Sequence, residues 1–201
     1  FWAAPRSCSN TSGKSDFALQ LARGLVGDAP VLFIATAQAG DGEMAERITR
    51  HRGERPGHWQ TLEAPLEVGR RWQEASRTVP TPPGAAILDC LTLLVANLLF
   101  AGPEDPESAD EALLQARVDR EIDGLLSAQA ALHLPLIVVS NEVGLGIVPA
   151  GRISRLYRDL LGRANRRLAS RAEQAIFLLA GIPLDLKRLQ ADLPELLDSS
   201  Q

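Results

Sequence analysis

Short apolar runs alternate along the chain with longer segments in which apolar residues recur every third or fourth position. The runs have the length and composition of buried strands, and we predict strands at residues 31–35, 85–88, 134–139 and 175–179. The longer segments predict helices at 14–25, 43–51, 109–130 and 153–171. This alternation indicates an α/β fold, in which helices cover both faces of a mostly parallel sheet.

In such a sheet the carboxyl ends of the strands meet at one edge, and ligands bind there. The residues that follow each predicted strand are therefore the first place to look for chemistry. Proline and glycine at 80–84 and the acidic, proline-containing stretch 102–110 predict surface loops rather than domain linkers. We expect one domain over residues 1–201, with 185–201 a terminal extension that is either a short helix or a frayed end.

The charge balance argues against extended polyanionic partners. A net charge of -4 provides no field that would attract nucleic acid or an anionic membrane surface. The apolar stretches 85–88 and 91–100 are too short to span a bilayer, and the first eight residues lack the pattern of a signal peptide. The two cysteines are far apart, so neither a disulfide framework nor a zinc site is expected. We expect a reducing, cytoplasmic location without membrane insertion.

The first candidate site is Ser12-Gly13-Lys14-Ser15 at the start of a predicted helix. Backbone N–H groups and a lysine ammonium at such a helix start hold phosphates, and the serine hydroxyl reaches Mg²⁺. The complete phosphate loop has a glycine where this chain has Cys8. The alternative is that Ser12 only caps an ordinary helix and Lys14 is solvated.

The second candidate is Asp89, which ends the apolar run before it. A carboxylate at this place in P-loop enzymes holds Mg²⁺ or its water beside the nucleotide phosphates. The alternative is that Asp89 caps the helix that follows. The presence of both Asp89 and the Gly-Lys-Ser segment in one sequence favours the metal role.

The third candidate is His51, which lies on the same predicted helix face as Met44 and Ile48, between Arg50 and Arg52. Neutral imidazole can attack the α-phosphate of a nucleotide, and guanidinium groups would neutralise the developing charge. The alternative is a histidine that interacts with the helix dipole. The other two histidines, His58 and His133, have weaker claims.

Several segments, taken together and in this order, resemble one family. They are Ile-Ala-Thr-Ala at 34–37, Gly-Glu-Met-Ala at 42–45, Arg-Ile at 47–48 with His51, Arg-Pro-Gly-His-Trp at 55–59, Asp-Cys-Leu-Thr at 89–92, Asn-Leu-Leu-Phe at 97–100, Ser-Asn-Glu-Val-Gly-Leu-Gly-Ile-Val-Pro at 140–149, Tyr-Arg-Asp at 157–159 and Gly-Arg-Ala-Asn at 162–165. The run at 141–149 is the most specific. The chain resembles the bifunctional adenosylcobinamide kinases and adenosylcobinamide-phosphate guanylyltransferases of cobalamin assembly over most of residues 12–183.

The resemblance implies a RecA-like P-loop fold, a homotrimer and a cytoplasmic role. It implies two reactions: phosphorylation of adenosylcobinamide by ATP or GTP, then transfer of GMP from GTP to adenosylcobinamide phosphate. Magnesium is the implied cofactor.

The resemblance also implies roles for individual residues. His51 would accept GMP covalently as the catalytic residue, and Ser15 and Asp89 would bind the metal. The implied nucleotide-binding residues are Cys8, Ser9, Asn10, Thr11, Ser12, Gly13, Lys14, Ser15, Ala35, Thr36, Ala37, Arg52, Gly53, Glu54, Arg55, Glu63 and Asp89.

The chain departs from the family pattern in residues 1–11. Two glycines and an arginine of the family's phosphate loop are replaced within residues 8–15, and the family more often has glutamate at position 89. A side chain at Cys8 disfavours a left-handed backbone and crowds an approaching phosphate. The alternatives are therefore a protein with guanylyltransferase activity alone, a non-catalytic nucleotide-binding subunit, and an unrelated P-loop kinase.

Overall fold

The computed structural model of the protein describes residues 13–38, 49, 52–53, 55–79, 81–102, 105 and 107–191. Its centre is a parallel sheet of four strands in the order β2-β1-β3-β4. The strands are β1 (Val31–Ala35), β2 (Gln60–Glu63), β3 (Ala85–Asp89) and β4 (Leu136–Val139). A separate antiparallel hairpin consists of β5 (Ile176–Leu179) and β6 (Ile182–Asp185). The α/β fold expected from the sequence is confirmed.

Five helices accompany these strands in the described part of the chain. They are α1 (Lys14–Val26), α2 (Val68–Ser76), α3 (Leu91–Phe100), α4 (Glu111–Leu132) and α5 (Arg152–Arg171). The predictions for α1, α4 and α5 agree with the structure to within two residues at each end. The helix predicted at 43–51 lies almost wholly outside the described residues. None of the described helices is both long and apolar enough to cross a bilayer.

The two faces of the sheet bury separate cores because successive strand residues point to opposite sides. On one face, α1 packs through Ala18, Leu19 and Ala22 against Phe33 and Ile87. The other four helices cover the opposite face, where Leu32, Ile34 and Leu88 meet side chains that include Trp72, Leu94, Ile122 and Leu160. Helices therefore lie on both faces, as expected.

Helices α2 and α4 cross closely because of a glycine. A Cβ atom built on Gly69 would lie 2.2 Å from the carbonyl oxygen of Gly124, a distance that no side chain can occupy. Glu121 of α4 fixes the same crossing, since its carboxylate accepts hydrogen bonds from the N–H groups of Glu67 (3.1 Å) and Val68 (2.6 Å) at the start of α2. The carboxylate thus satisfies donors that a helix start leaves without partners.

The direction of α1 places its first residues at the carboxyl edge of the sheet. Val26, at the end of α1, lies against Gly84, which directly precedes β3. The end of α1 is therefore at the amino edge. A helix of 13 residues is about as long as the strands it covers, so Lys14 lies at the opposite edge, where β1 and β3 end.

Candidate functional site at the carboxyl edge of the sheet

Strand pairing aligns three of the predicted site residues in one row. Ala35 is in register with Glu63 on one side and with Asp89 on the other. Asp89 in turn is in register with Val139. Glu63, Ala35 and Asp89 thus end three neighbouring strands at the same edge, as the parallel arrangement requires.

The first residues of α1 face this row. Gly13 occupies the N-cap position with a left-handed backbone (φ 69°), and its carbonyl accepts the N–H of Phe17 at 2.9 Å. Gly13 has no side chain to cap the helix, and Ser12 lies outside the described residues, so the capping alternative for Ser12 stays untested. Lys14 and Ser15 follow as half-buried residues of the first turn. A helix start with this geometry directs N–H groups and a positive dipole end toward an anion.

Asp89 points to the α1 side of the sheet. Ile87 packs in the core beneath α1, and alternation along β3 places the side chain of Asp89 on the same face. The N-cap of α3 is Cys90, with no side-chain capping bond, so the helix-capping alternative for Asp89 finds no support. The half-buried carboxylate therefore shares a face and an edge with Lys14 and Ser15.

Thr36 holds the backbone directly after Asp89. Its hydroxyl accepts the N–H of Cys90 and donates to the carbonyl of Cys90, both at 2.8 Å. The Thr36 N–H donates to the carbonyl of Asp89 at 3.1 Å, and Thr36 is fully buried. The contact of Thr36 with nucleotide stays a prediction, and here its side chain positions the end of β3.

The half-buried side chain of Asn97 completes this group, although the sequence predicted no role for it. Its amide donates to the carbonyls of Thr36 (2.9 Å) and Pro65 (3.0 Å), tying α3 to the segments after β1 and β2. The available signal was one amide within an otherwise apolar helix, Leu91–Phe100. A polar side chain in such surroundings normally has a hydrogen-bond partner.

The segment before β2 brings two predicted arginines to the edge. The guanidinium of Arg55 lies 3.3 Å from the ring centroid of Phe33 in β1, and its Nη1 donates to Thr61 at 3.1 Å. Arg52 pairs with Glu63 at 4.0 Å, and both side chains are more than half exposed. A cation held flat on an aromatic ring keeps a fixed position. Arg55 is thus set beside the strand that ends at Ala35.

The remaining predicted site residues divide into two groups. Ala37 and Gly53 are described, the first half-buried after β1 and the second exposed, without a contact that would test their role. The others lie outside the described residues: Cys8, Ser9, Asn10, Thr11, Ser12, His51 and Glu54. Their roles stay predictions. His58 and His133 are both exposed.

A second polar group, which the sequence did not predict, joins β4 to α3 and α5. Ser140 donates to Asn165 at 2.6 Å, and Asn165 donates to the carbonyl of Asn141 at 2.9 Å. The N–H of Asn141 donates to Thr92 at 3.1 Å, and the Tyr157 hydroxyl donates to the Thr92 carbonyl at 3.2 Å. Burial, with a smaller contribution from Cys90, raises the pKa of Tyr157 to about 12, so the hydroxyl stays a donor at neutral pH.

The donor set at the edge fits magnesium rather than a metal held by protein alone. Across the ranges that the structure describes, no three His, Cys, Asp or Glu side chains form a metal-binding group. Magnesium usually binds one or two protein oxygens and completes its shell with water and substrate phosphates. One serine hydroxyl and one carboxylate, from Ser15 and Asp89, meet that requirement.

An open groove of about 450 Å³ lies elsewhere, between α4 and α5, and is lined by Gln115, Asp119, Arg163, Arg166, Arg167 and Ser170. Its arginines pair across the two helices, Arg163 with Glu111 and Arg167 with Asp119, each at 3.1 Å. These pairs join exposed helix surfaces on the side of the sheet away from α1. We therefore assign the groove no part in the site.

Known proteins match this chain over most of its length. The family model described as cobinamide kinase / cobinamide phosphate guanyltransferase matches residues 8–186. The chain is 44% identical over 181 residues to the bifunctional adenosylcobalamin biosynthesis protein CobP of Pseudomonas aeruginosa, covering 88% of this chain and 92% of the relative. It is 41% identical over 182 residues to the bifunctional adenosylcobalamin biosynthesis protein CobU of Salmonella typhimurium, covering 88% and 94%.

The family match and the geometry concern the same residues. The matched range contains the start of α1, the row that ends β1, β2 and β3, and the segment after β4. Identity above 40% over most of both chains leaves no doubt about kinship. The chain belongs to the cobinamide kinase / cobinamide phosphate guanyltransferase family.

Proposed function

We propose that this protein phosphorylates adenosylcobinamide with ATP or GTP and then transfers GMP from GTP to adenosylcobinamide phosphate, giving adenosylcobinamide-GDP. The observation that carries the proposal is the shared edge of Lys14, Ser15 and Asp89. The helix start supplies donors for phosphates, and the strand end supplies a carboxylate on the same face. Family membership indicates the substrate.

In the kinase step, the hydroxyl oxygen of adenosylcobinamide attacks the γ-phosphorus, the bond to the β-phosphate oxygen breaks, and the hydroxyl proton leaves to water. The Lys14 ammonium and the N–H groups of the first turn offset charge on the phosphate oxygens. Ser15 and Asp89 would hold Mg²⁺, which supplies further neutralisation of phosphate charge when bound. Arg55, fixed on Phe33, adds a cation at the same edge.

In the guanylyl step, a ring nitrogen of His51 attacks the α-phosphorus of GTP, and pyrophosphate leaves. A phosphate oxygen of adenosylcobinamide phosphate then attacks the same phosphorus, and the bond to histidine breaks. This assignment of His51 rests on its place in the family motif and on the neighbouring Arg52 and Arg55 at the site edge. Guanidinium groups there would offset charge on the α-phosphate.

Matched histidine variants test the covalent step. Wild-type protein incubated with α-labelled GTP should acquire an acid-labile label, and His51→Asn should acquire none. His133→Asn is the control, because His133 is exposed after α4 and has a left-handed backbone (φ 54°) that asparagine tolerates. Absence of label from wild-type protein that binds GTP would refute the nucleotidyl-histidine.

Matched lysine variants test the kinase step. Lys14→Met should abolish transfer of the γ-phosphoryl group to adenosylcobinamide, whereas Lys187→Met, at the only other lysine of the chain, should leave it unchanged. Equal loss in the two variants would contradict the assignment of Lys14.

The altered phosphate loop favours one second candidate. Cys8, Ser9 and Thr11 stand where the family's loop has two glycines and an arginine, so a protein with guanylyltransferase activity alone is the alternative. It would form the His51 label and convert added adenosylcobinamide phosphate, but it would not phosphorylate adenosylcobinamide.

We further propose a cytoplasmic homotrimer. The exposed apolar side chains on and after the β5–β6 hairpin support subunit contact: Leu179, Ile182, Leu186 and Leu189. Sedimentation equilibrium tests the stoichiometry, and a monomer at micromolar concentration would contradict it. The cytoplasmic location is supported by the need for ATP and GTP as substrates.

A further inference from the structure

The segment that follows β4 carries an exposed apolar surface that the phosphate site does not use. Residues 143–150, here named the apolar loop, contain no charged side chain. Within it Ile147 is 98% exposed, Leu145 78% and Val148 58%. Three exposed aliphatic side chains within four residues are an unfavourable arrangement for a surface without a binding partner.

Hydrogen bonds hold the loop at both ends. Just before it, the N–H of Asn141 donates to Thr92 at 3.1 Å, and near its start the N–H of Gly144 donates to the carboxylate of Glu142 at 2.7 Å. At its end, Pro149 and Ala150 accept hydrogen bonds from Arg155 of α5 through their carbonyls. The apolar side chains are thus presented from fixed ends, which lowers the entropy lost on binding.

The loop stands at the same edge as the phosphate-handling residues. It begins four residues after Val139, which is in register with Asp89. The N–H of Asn141, two residues before the loop, donates to Thr92, which lies three residues after Asp89 along the chain. A substrate whose hydroxyl or phosphate reaches that edge would bring its remaining bulk beside the loop.

We propose that the apolar loop binds the corrin ring of adenosylcobinamide, with Ile147 as the principal contact. This inference rests on the proposed function, because that function supplies the substrate. A corrin ring carries methyl groups and neutral amides at its periphery, so an uncharged aliphatic surface matches it. The loop would thereby set specificity for the corrinoid without taking part in phosphoryl transfer.

The size of the surface favours a small ligand over a second copy of the chain. Stable protein interfaces bury about 800 Å² on each partner. Three aliphatic side chains on one loop offer much less than that, whereas a single macrocycle could cover them.

The test compares Ile147→Ala with Leu25→Ala. Leu25 is 55% exposed near the end of α1, at the opposite edge of the sheet, and serves as the matched control. Calorimetric titration with adenosylcobinamide should give a Kd about tenfold weaker for Ile147→Ala, because the substitution removes three carbons that the ring would cover in part. The Kd for GTP and the Tm should stay at wild-type values in both variants.

Two results would overturn the proposal. One is a wild-type Kd for adenosylcobinamide in Ile147→Ala. The other is a change in sedimentation behaviour without a change in corrinoid affinity, which would assign the loop to a subunit contact. In both cases the His51 label on wild-type protein reports separately on the proposed function, so a failure of the loop is distinguishable from a failure of the enzyme assignment.

Discussion

Thr36→Val removes one hydroxyl beside Asp89 while keeping the shape of the side chain. Thr36 is fully buried, and its oxygen bonds both the N–H and the carbonyl of Cys90 at 2.8 Å. The carbonyl keeps a second partner, since it also accepts the N–H of Leu94 at 3.1 Å. The N–H of Cys90 loses its acceptor, the Thr36 hydroxyl oxygen, so most of the effect should fall on this donor.

The loss of stability expected for Thr36→Val follows from the unpaired N–H of Cys90. Leaving a buried donor without its partner costs about 1–3 kcal/mol. Thr36→Ser keeps the hydroxyl and loses one methyl group, so it should cost about 0.8 kcal/mol. Because the same bonds position the residue after Asp89, we also expect Thr36→Val to raise the Mg²⁺ concentration needed for half-maximal kinase activity, and Thr36→Ser to restore it.

Urea denaturation measures the stability difference, and activity at varied Mg²⁺ measures the positioning effect. Thr78→Val is the matched control, since the exposed Thr78 hydroxyl bonds only its own helix end at Ala75. A Thr36→Val variant as stable as wild type, or one with an unchanged Mg²⁺ requirement, would refute the reasoning.

Three further predictions concern the packing and the charges. Gly69→Ala should destabilise the fold by about 1–3 kcal/mol through overpacking. Gly124→Ala, whose Cβ would meet no atom within 4 Å, should stabilise the fold by about 0.5–1 kcal/mol. Equal urea midpoints for the two variants would contradict the close crossing of α2 and α4 at Gly69. Glu121→Gln should weaken the start of α2 and lower the Tm, and an unchanged Tm would contradict the capping role. Tyr157 is the only tyrosine, so tyrosinate absorbance should titrate near pH 12 in the folded protein and near pH 10 in urea. The free energy of unfolding should therefore fall as the pH rises from 10 to 12. A midpoint near pH 10 in the folded protein would contradict the burial of Tyr157.

Elements with a strong local pattern could be predicted from the sequence. The stripe of Leu114, Val118, Ile122 and Leu125 predicted α4, and all four side chains are buried. Strand β2 could not be predicted, because Gln60–Glu63 is short and mostly polar and depends on pairing with β1. Helix α3 buries Leu91, Leu94, Val95, Leu98 and Leu99, but its other residues are mostly apolar as well, so Leu91–Phe100 shows no period to distinguish it from a buried strand.

The sequence also predicted part of the site, where the relevant residues form a local pattern. Lys14 and Asp89 were placed by a general property of parallel sheets, and the structure sets the segments that carry them at one edge. The bonds of Thr36 to Cys90 join residues that are 54 positions apart. Such long-range contacts, like that of Arg55 with Phe33, depend on register and packing and leave no local pattern in the sequence.

Transfer of label from protein to corrinoid is the most direct test of the proposed site. Protein labelled with α-labelled GTP is freed of nucleotide and then mixed with adenosylcobinamide phosphate in a rapid-quench experiment. We expect the label to leave His51 and appear in adenosylcobinamide-GDP at least as fast as steady-state turnover. Label that remains on the protein while product forms from fresh GTP would contradict the account.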